Sequence, residues 1–293
     1  MFADRVIEAA RRLGPLCVGI DPHPGRVPDL FGGDTPKGLA AWGMAVVDAA
    51  AGRAAAVKPQ AGLFERLGPE GMAALQVVCE RAHAAGLIVI ADAKRGDIGS
   101  TALGYATAWL DEAAPFAADA LTVNPYMGLD TLEPCLAACE ATGRGLAVLV
   151  RTSNPGAADF QALDCGGEPL FRHVARALAP ATGRLKGQTG WSGLMLVTGA
   201  TAPHEARAIR AVAPDALFLV PGYGAQGAGV EEALCGFVPG PAGREGGLVN
   251  ASRAVTFPKA AEGVSGYRSW QAAITEAIET AQAALKAGAA SGV

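Results

Sequence analysis

The chain has 293 residues, 51% of them hydrophobic and only 18% charged, with a formal net charge of −4. That is enough apolar material for one large α/β domain, about 250 residues being a common size for an α/β barrel. The acidic balance argues against general nucleic-acid or anionic-membrane binding and leaves room for a local anion site.

The opening stretch MFADRVIEAARRLG carries Asp4, Arg5, Glu8, Arg11 and Arg12. It lacks the uninterrupted apolar segment of a signal peptide, and no apolar run of about 18 residues occurs further on. A soluble, cytoplasmic protein without a membrane partner is the expectation. Short apolar, often β-branched runs then alternate with Ala-rich stretches. The strand candidates in chain order are PLCVGID (15–21), AAAVKPQ (54–60), LIVIADAK (87–94), DALTVNP (119–125), GLAVLVRTS (145–153), SGLMLVTG (192–199), ALFLVPG (216–222) and GLVNAS (247–252). Segments between them, such as PEGMAALQVVCERAHAAG (69–86) and TLEPCLAACEATG (131–143), have helical apolar spacing and a closing Gly. FVPGPAGREGG (237–247) reads as a loop. SWQAAITEAIETAQAALKAG (269–288) reads as a final outer helix, and the tail AASGV as frayed.

About eight β/α units with continuously apolar strands point to a parallel sheet covered on both faces. A closed (β/α)8 TIM barrel over residues 1–293, as one domain, is the expected fold. A doubly wound open sheet is the alternative. The six cysteines (17, 79, 135, 139, 165, 235) include no CxxC pair, and the four histidines (23, 83, 173, 204) do not cluster. They carry no zinc signature and read as residues of a reducing compartment.

In a β/α barrel the C-terminal strand ends carry the chemistry. Here they hold Asp21, Lys58, Asp92 with Lys94, Thr152 with Ser153, and Asn250, Ser252 and Arg253. Asp92 and Lys94 are two apart, so on a regular strand they share a face. With Asp21 and Lys58 they would form an alternating array of charge. A structural salt bridge capping the barrel is the competing reading, but buried ion pairs add little stability over apolar packing, so a functional array is preferred. PGYGAQGAG (221–229) matches GxGxxG after a strand. Its position late in the chain, behind Pro221, fits a phosphate cup better than a dinucleotide fold. The amides of Gly222–Gly227 and the Arg253 guanidinium are its candidate donors.

The run Asp92-Ala-Lys94-Arg-Gly-Asp97-Ile98-Gly-Ser-Thr101 resembles the DxKxxD signature of the orotidine 5′-phosphate decarboxylase family. The resemblance extends in order from Asp21 and Lys58 through RTSNPGA and PGYGAQG to NASRAV, over about residues 15–260. TSNPGA and the chain length are most similar to the longer bacterial subgroup (type 2). The resemblance implies conversion of orotidine 5′-phosphate to UMP and carbon dioxide, with no metal and no cofactor. It implies Lys94 as the proton donor to C6 and Asp92 beside the substrate carboxylate. Asp21 and Lys58 would engage the ribose and order the charges, and Ser153 would meet the pyrimidine. Gln226 and Arg253, with Pro221, Gly222 and Ser252 around them, would hold the phosphate. It further implies a homodimer in which Asp97, with Ile98 and Thr101, completes the partner's site. Two rivals remain on the same barrel. One is a Mg²⁺-dependent sugar-phosphate enzyme, which would carry an acid where this chain has Lys58. The other is a non-catalytic nucleotide-phosphate binder, which would lack a member of the charged set.

Overall fold

A computed structural model describes residues 1–224 and 226–291. Ala225 of the glycine-rich loop and Gly292 and Val293 of the expected frayed tail lie outside the described residues.

The strands are β1 (Leu16–Ile20), β2 (Ala56–Pro59), β3 (Ile88–Arg95), β4 (Ala120–Val123), β5 (Gly145–Arg151), β6 (Ser192–Thr198), β7 (Ala216–Val220), β8 (Val238–Gly240), β9 (Gly243–Glu245) and β10 (Gly247–Ala251). Eight of them close a parallel barrel in the order β1-β10-β7-β6-β5-β4-β3-β2. The open-sheet alternative is thereby excluded. Each barrel strand begins and ends within two or three residues of its expected bounds.

Side chains alternate between two cores, as the strand period of two requires. Leu16, Val18, Val57, Val89, Leu121, Leu146, Val148, Leu196, Phe218 and Val249 face outward into the layer under the helices. Cys17, Ala56, Ile88, Ile90, Ala120, Ala147, Met195, Leu217 and Leu248 face inward. They share that inner core with Phe2, Ala3, Val6 and Ile7 of the first helix, Phe2–Leu13, which plugs the N-terminal end of the barrel. A strand with both faces buried reads as a continuous apolar run, the pattern seen along the chain. Moving up β3, the inward residues go from Ile88 and Ile90 to Asp92, so the barrel interior changes from apolar floor to charged mouth along one strand.

Two expectations need correction. The segment 237–247 is not an open loop: β8 and β9 pair antiparallel, Val238 opposite Glu245 and Gly240 opposite Gly243. The reason lies in tertiary partners. Glu245 accepts two hydrogen bonds from Arg11, at 2.7 and 2.8 Å, and one from the Trp191 indole at 3.0 Å. Glu245 thus stands at the barrel's N-terminal end, away from the mouth. The last helix runs Tyr267–Ala290, longer than expected, and Ala289 of the supposedly frayed tail is buried. The close approach of Gly243 to the Ala289 carbonyl explains that order.

Candidate active site

A cavity of about 450 Å³ opens at the C-terminal mouth of the barrel. Of the residues expected at a site, it gathers Asp21, Lys58, Asp92, Lys94, Ser153, Pro221, Gly222, Gln226, Ser252 and Arg253, and also Thr152, Asn154 and Asn250. Asp97, Ile98 and Thr101 are not brought into it.

Asp92 is the centre of the arrangement. It is buried, and its Oδ2 accepts from Lys58 Nζ at 2.5 Å and from Gln60 Nε2 at 3.0 Å. Its Oδ1 accepts from Lys94 Nζ at 2.5 Å and from Thr122 Oγ1 at 3.2 Å. Burial by itself would raise the Asp92 carboxyl; the ammonium groups of Lys58 and Lys94 outweigh it and hold the group far below the ordinary carboxylate range. Burial likewise would lower Lys58, and the charges of Asp92 and Asp21 reverse that and push it up. Asp92 and Lys58 are therefore ionised together. Asp21 Oδ1 is buried with no partner among the described residues. A buried acceptor of that kind calls for a donor from a bound molecule.

Lys94 reaches Asp92 by an irregular route. The β3–β4 register shifts between Ala91 and Arg95, and Lys94 has φ 47°. Among the described residues it is the sole non-glycine at positive φ, a conformation costing about 1–2 kcal/mol. Its N–H donates to Thr122 Oγ1 at 2.8 Å instead of to a strand carbonyl. Simple alternation would place Asp92 and Lys94 on one face; here a bulge re-aims Lys94 to meet Asp92. Arg95 turns away, its guanidinium 5.6 Å from the Tyr105 ring and 5.8 Å from the Trp109 ring. The strain at Lys94 marks a position held for use.

Glycines shape the rest of the cavity. A Cβ at Gly19 would lie 1.9 Å from Ser252 Oγ, so only glycine lets β10's end lean over β1. Ser153 is wedged between Gly199 and Gly222, whose Cβ positions would fall 3.0 and 3.2 Å from it. Thr152 is tied to Asn154 Oδ1 at 2.6 Å, and Gln161 Oε1 accepts the Thr152 N–H at 2.8 Å. That leaves Ser153 projecting between them. In the loop after β7, the Gly224 amide donates to the Ala228 carbonyl and the Gly227 amide to the Gly224 carbonyl. Those two expected phosphate donors are thus engaged within the loop, while the side chains of Gln226 and Arg253 face the cavity.

His23, Gln60, Thr122 and Tyr223 line the cavity without having been singled out from the sequence. The signal for Gln60 was available: it stands two beyond Lys58, as Lys94 stands two beyond Asp92. Thr122 lies within DALTVNP, where the polar residue is internal to an apolar run and so resembles core.

The comparisons with known proteins agree with this geometry. The sequence model of the family described as orotidine 5′-phosphate decarboxylase / HUMPS matches residues 14–265. The chain is 38% identical over 292 residues to the orotidine 5′-phosphate decarboxylase of Rhodopirellula baltica, covering 94% of this chain and 96% of that one. It is 42% identical over 259 residues to the enzyme of that name from Haloarcula marismortui, covering 87% and 85% of the two chains. Among solved structures, the OMP decarboxylase of Leishmania donovani superposes with a TM-score of 0.76 at 32% identity, covering 97% and 98%. With the barrel, the Lys58–Asp92–Lys94 centre and these matches together, the chain belongs to the orotidine 5′-phosphate decarboxylase / HUMPS family.

Proposed function

We propose that this enzyme is a carboxy-lyase of pyrimidine biosynthesis that converts orotidine 5′-phosphate to UMP and carbon dioxide, using neither metal nor cofactor. The carrying observation is the pair of ammonium groups on one buried carboxylate, facing a cavity that Arg253 also lines. As the C6–carboxylate bond breaks, its electron pair stays on C6 in the ring plane, where no carbonyl receives it by delocalisation. The Lys94 ammonium stabilises that charge more in the transition state than in the ground state, then gives C6 its proton. Lys94 is 45% exposed, so it can be reprotonated from solvent after each turnover. Asp92, kept ionised, lies beside the departing carboxylate, and that repulsion falls as neutral carbon dioxide forms.

Asp21, with its unpartnered oxygen, accepts from a ribose hydroxyl, and Lys58 orders the carboxylates around it. Ser153 meets the pyrimidine. Gln226 and Arg253 bind the phosphate, with Pro221, Gly222 and Ser252 shaping that end. Lys58 also argues against the Mg²⁺-dependent reading: its ammonium sits where a divalent cation would need a carboxylate, and would repel it.

The functional unit is read as a homodimer of single-domain barrels in the cytoplasm, of the longer bacterial subgroup. Asp97, Ile98 and Thr101 stand outside their own cavity; Ile98, Leu103, Tyr126, Met127 and Leu129 are exposed, and Met127 lies beside Gly96. That apolar surface suits a second copy of the chain, whose site Asp97 would complete. Mixing inactive Lys94→Ala and Asp97→Ala proteins should then restore about a quarter of wild-type activity, through heterodimers with one intact site. No recovery would remove Asp97 from a shared site.

The reaction is tested by mixing the protein with orotidine 5′-phosphate in buffer containing EDTA. Loss of the orotate absorbance with one carbon dioxide released per substrate is the expected result. Turnover abolished by EDTA would favour a Mg²⁺-dependent sugar-phosphate enzyme. UMP binding without turnover would favour a non-catalytic barrel.

A further inference from the structure

We infer that Gln60 and Thr122 are positioning residues that clamp Asp92 from the two neighbouring strand ends, and that Thr122 also holds Lys94 in its left-handed conformation. The inference rests on the decarboxylase reading and extends it to two residues without an assigned role. Asp92 follows the apolar part of β3, between β2 and β4, and a carboxylate has about four acceptor positions. Four donors stand within hydrogen-bonding reach of it, and their distribution is regular. Each oxygen takes one ammonium and one neutral donor: Lys58 and Gln60 on Oδ2, Lys94 and Thr122 on Oδ1. Two cations alone would leave the carboxylate free to turn about its Cβ–Cγ bond, exchanging which lysine meets which oxygen. The amide from the β2 side and the hydroxyl from β4 fix the plane of the group.

Thr122 does a second thing. Its hydroxyl is 1% exposed with the rest of the residue and accepts the Lys94 N–H at 2.8 Å. The one hydroxyl proton goes to Asp92 Oδ1 at 3.2 Å or to the Ala91 carbonyl at 3.3 Å, so the same atom joins the backbone of the proton donor to the carboxylate beside it. Without it, the N–H at φ 47° has no acceptor and the strained residue has no tie to β4. Valine matches threonine in shape, so the hydroxyl can be removed while the packing stays.

The test compares Thr122→Val, Thr122→Ser and Gln60→Met with the wild type in kcat, KM and UMP affinity. UMP lacks the departing carboxylate, so its binding does not depend on the orientation of Asp92. Thr122→Val should lower kcat about tenfold to a hundredfold, the scale of a small misplacement of reacting groups. KM and the UMP Kd should stay within about twofold, and Thr122→Ser should recover most of the rate. Gln60→Met, which leaves Lys94 untouched, should show a smaller kcat loss of the same kind. A folded Thr122→Val enzyme with wild-type kcat, or equal losses in Val and Ser, overturns the clamp. A crystal structure of Thr122→Val supplies a readout independent of turnover: Lys94 should leave the left-handed region, and an unmoved Lys94 also overturns it. Absence of turnover in the wild type would instead defeat the reaction assignment, with the Lys94 geometry still deciding the clamp.

Discussion

The two ends of this barrel each bury a carboxylate among side-chain donors, and they use it in opposite ways. At the N-terminal end Asp119 accepts from Arg5 at 2.6 Å, from His83 at 3.1 Å and from the Val89 amide at 2.8 Å. Arg11 with Glu245, and Asp4 with the Thr189 amide at 2.8 Å, complete a set of ties that fasten the first helix over the barrel floor. Those partners come from different segments; Arg5 and His83 also line a surface cavity of about 650 Å³, but Asp119 itself does not open on it. At the C-terminal mouth, Asp92 is held by its own and adjacent strands and opens on the cavity. The lesson is that burial and pairing do not by themselves distinguish a structural ion cluster from a reactive one. What distinguishes them is a carboxylate that itself faces open volume, an acceptor such as Asp21 Oδ1 with no partner among the described residues, and backbone strain at Lys94.

Substitution at each end tests this division. Lys94→Ala should reduce kcat by about 10⁴-fold, combining loss of the general acid and of the charge facing C6. Its stability should change by no more than about 1 kcal/mol, since the side chain is half-exposed. A folded variant with near-normal turnover would erase the contrast altogether. Asp119→Ala should do the reverse. It strands the buried Val89 amide and frees the first helix, costing about 2–3 kcal/mol, or roughly 5–10 °C in Tm for a domain of this size. The kcat of the folded fraction should be unchanged within about twofold; a large kcat loss would mean the floor and the mouth are coupled.

Arg253→Ala sharpens the picture within the mouth. Loss of a charge-assisted bond to phosphate, about 2 kcal/mol, should appear chiefly as a KM raised roughly thirtyfold. Unchanged KM and kcat would remove Arg253 from the phosphate site. The smallest effect is one of pH. Burial would raise the Asp119 carboxyl, but the bonds from His83, Val89 and Arg5 prevail and lower it. A carboxyl lowered by folding contributes stability above its unfolded value of about 3.9 and loses it as pH falls through the folded value. The Tm gap between wild type and Asp119→Asn should therefore hold steady from about pH 7 to pH 5 and narrow below about pH 4. A gap that widens on acidification would contradict the lowered carboxyl.

Much of the mouth was legible in the sequence because strand alternation is local. Asp92 and Lys94 are two residues apart, and Lys58, Asn250 and Arg253 each follow an apolar run that announces a strand. Gln60 obeyed the same rule and was legible in principle. Thr122 was not, since its value comes from the Lys94 amide and the Asp92 oxygen on another strand. The hairpin of β8 and β9 was illegible for a similar reason: Val238-Pro-Gly and Gly-Arg-Glu245 have no strand-like composition, and they pair where Glu245 meets Arg11 and Trp191.

The sequence by itself determined the barrel class and the identity of the charged groups at its mouth. Both follow from the spacing of apolar and polar residues along single strands, which the backbone geometry converts directly into faces and ends. Only the tertiary structure decided how those groups meet: the bulge that turns Lys94 back onto Asp92, the four donors around that carboxylate, and the ties from Arg5 to Asp119 and from Arg11 to Glu245 across more than a hundred residues of chain. Contacts of that separation are set by closure of the whole barrel, and no local pattern encodes which distant partner closure will bring within hydrogen-bonding reach.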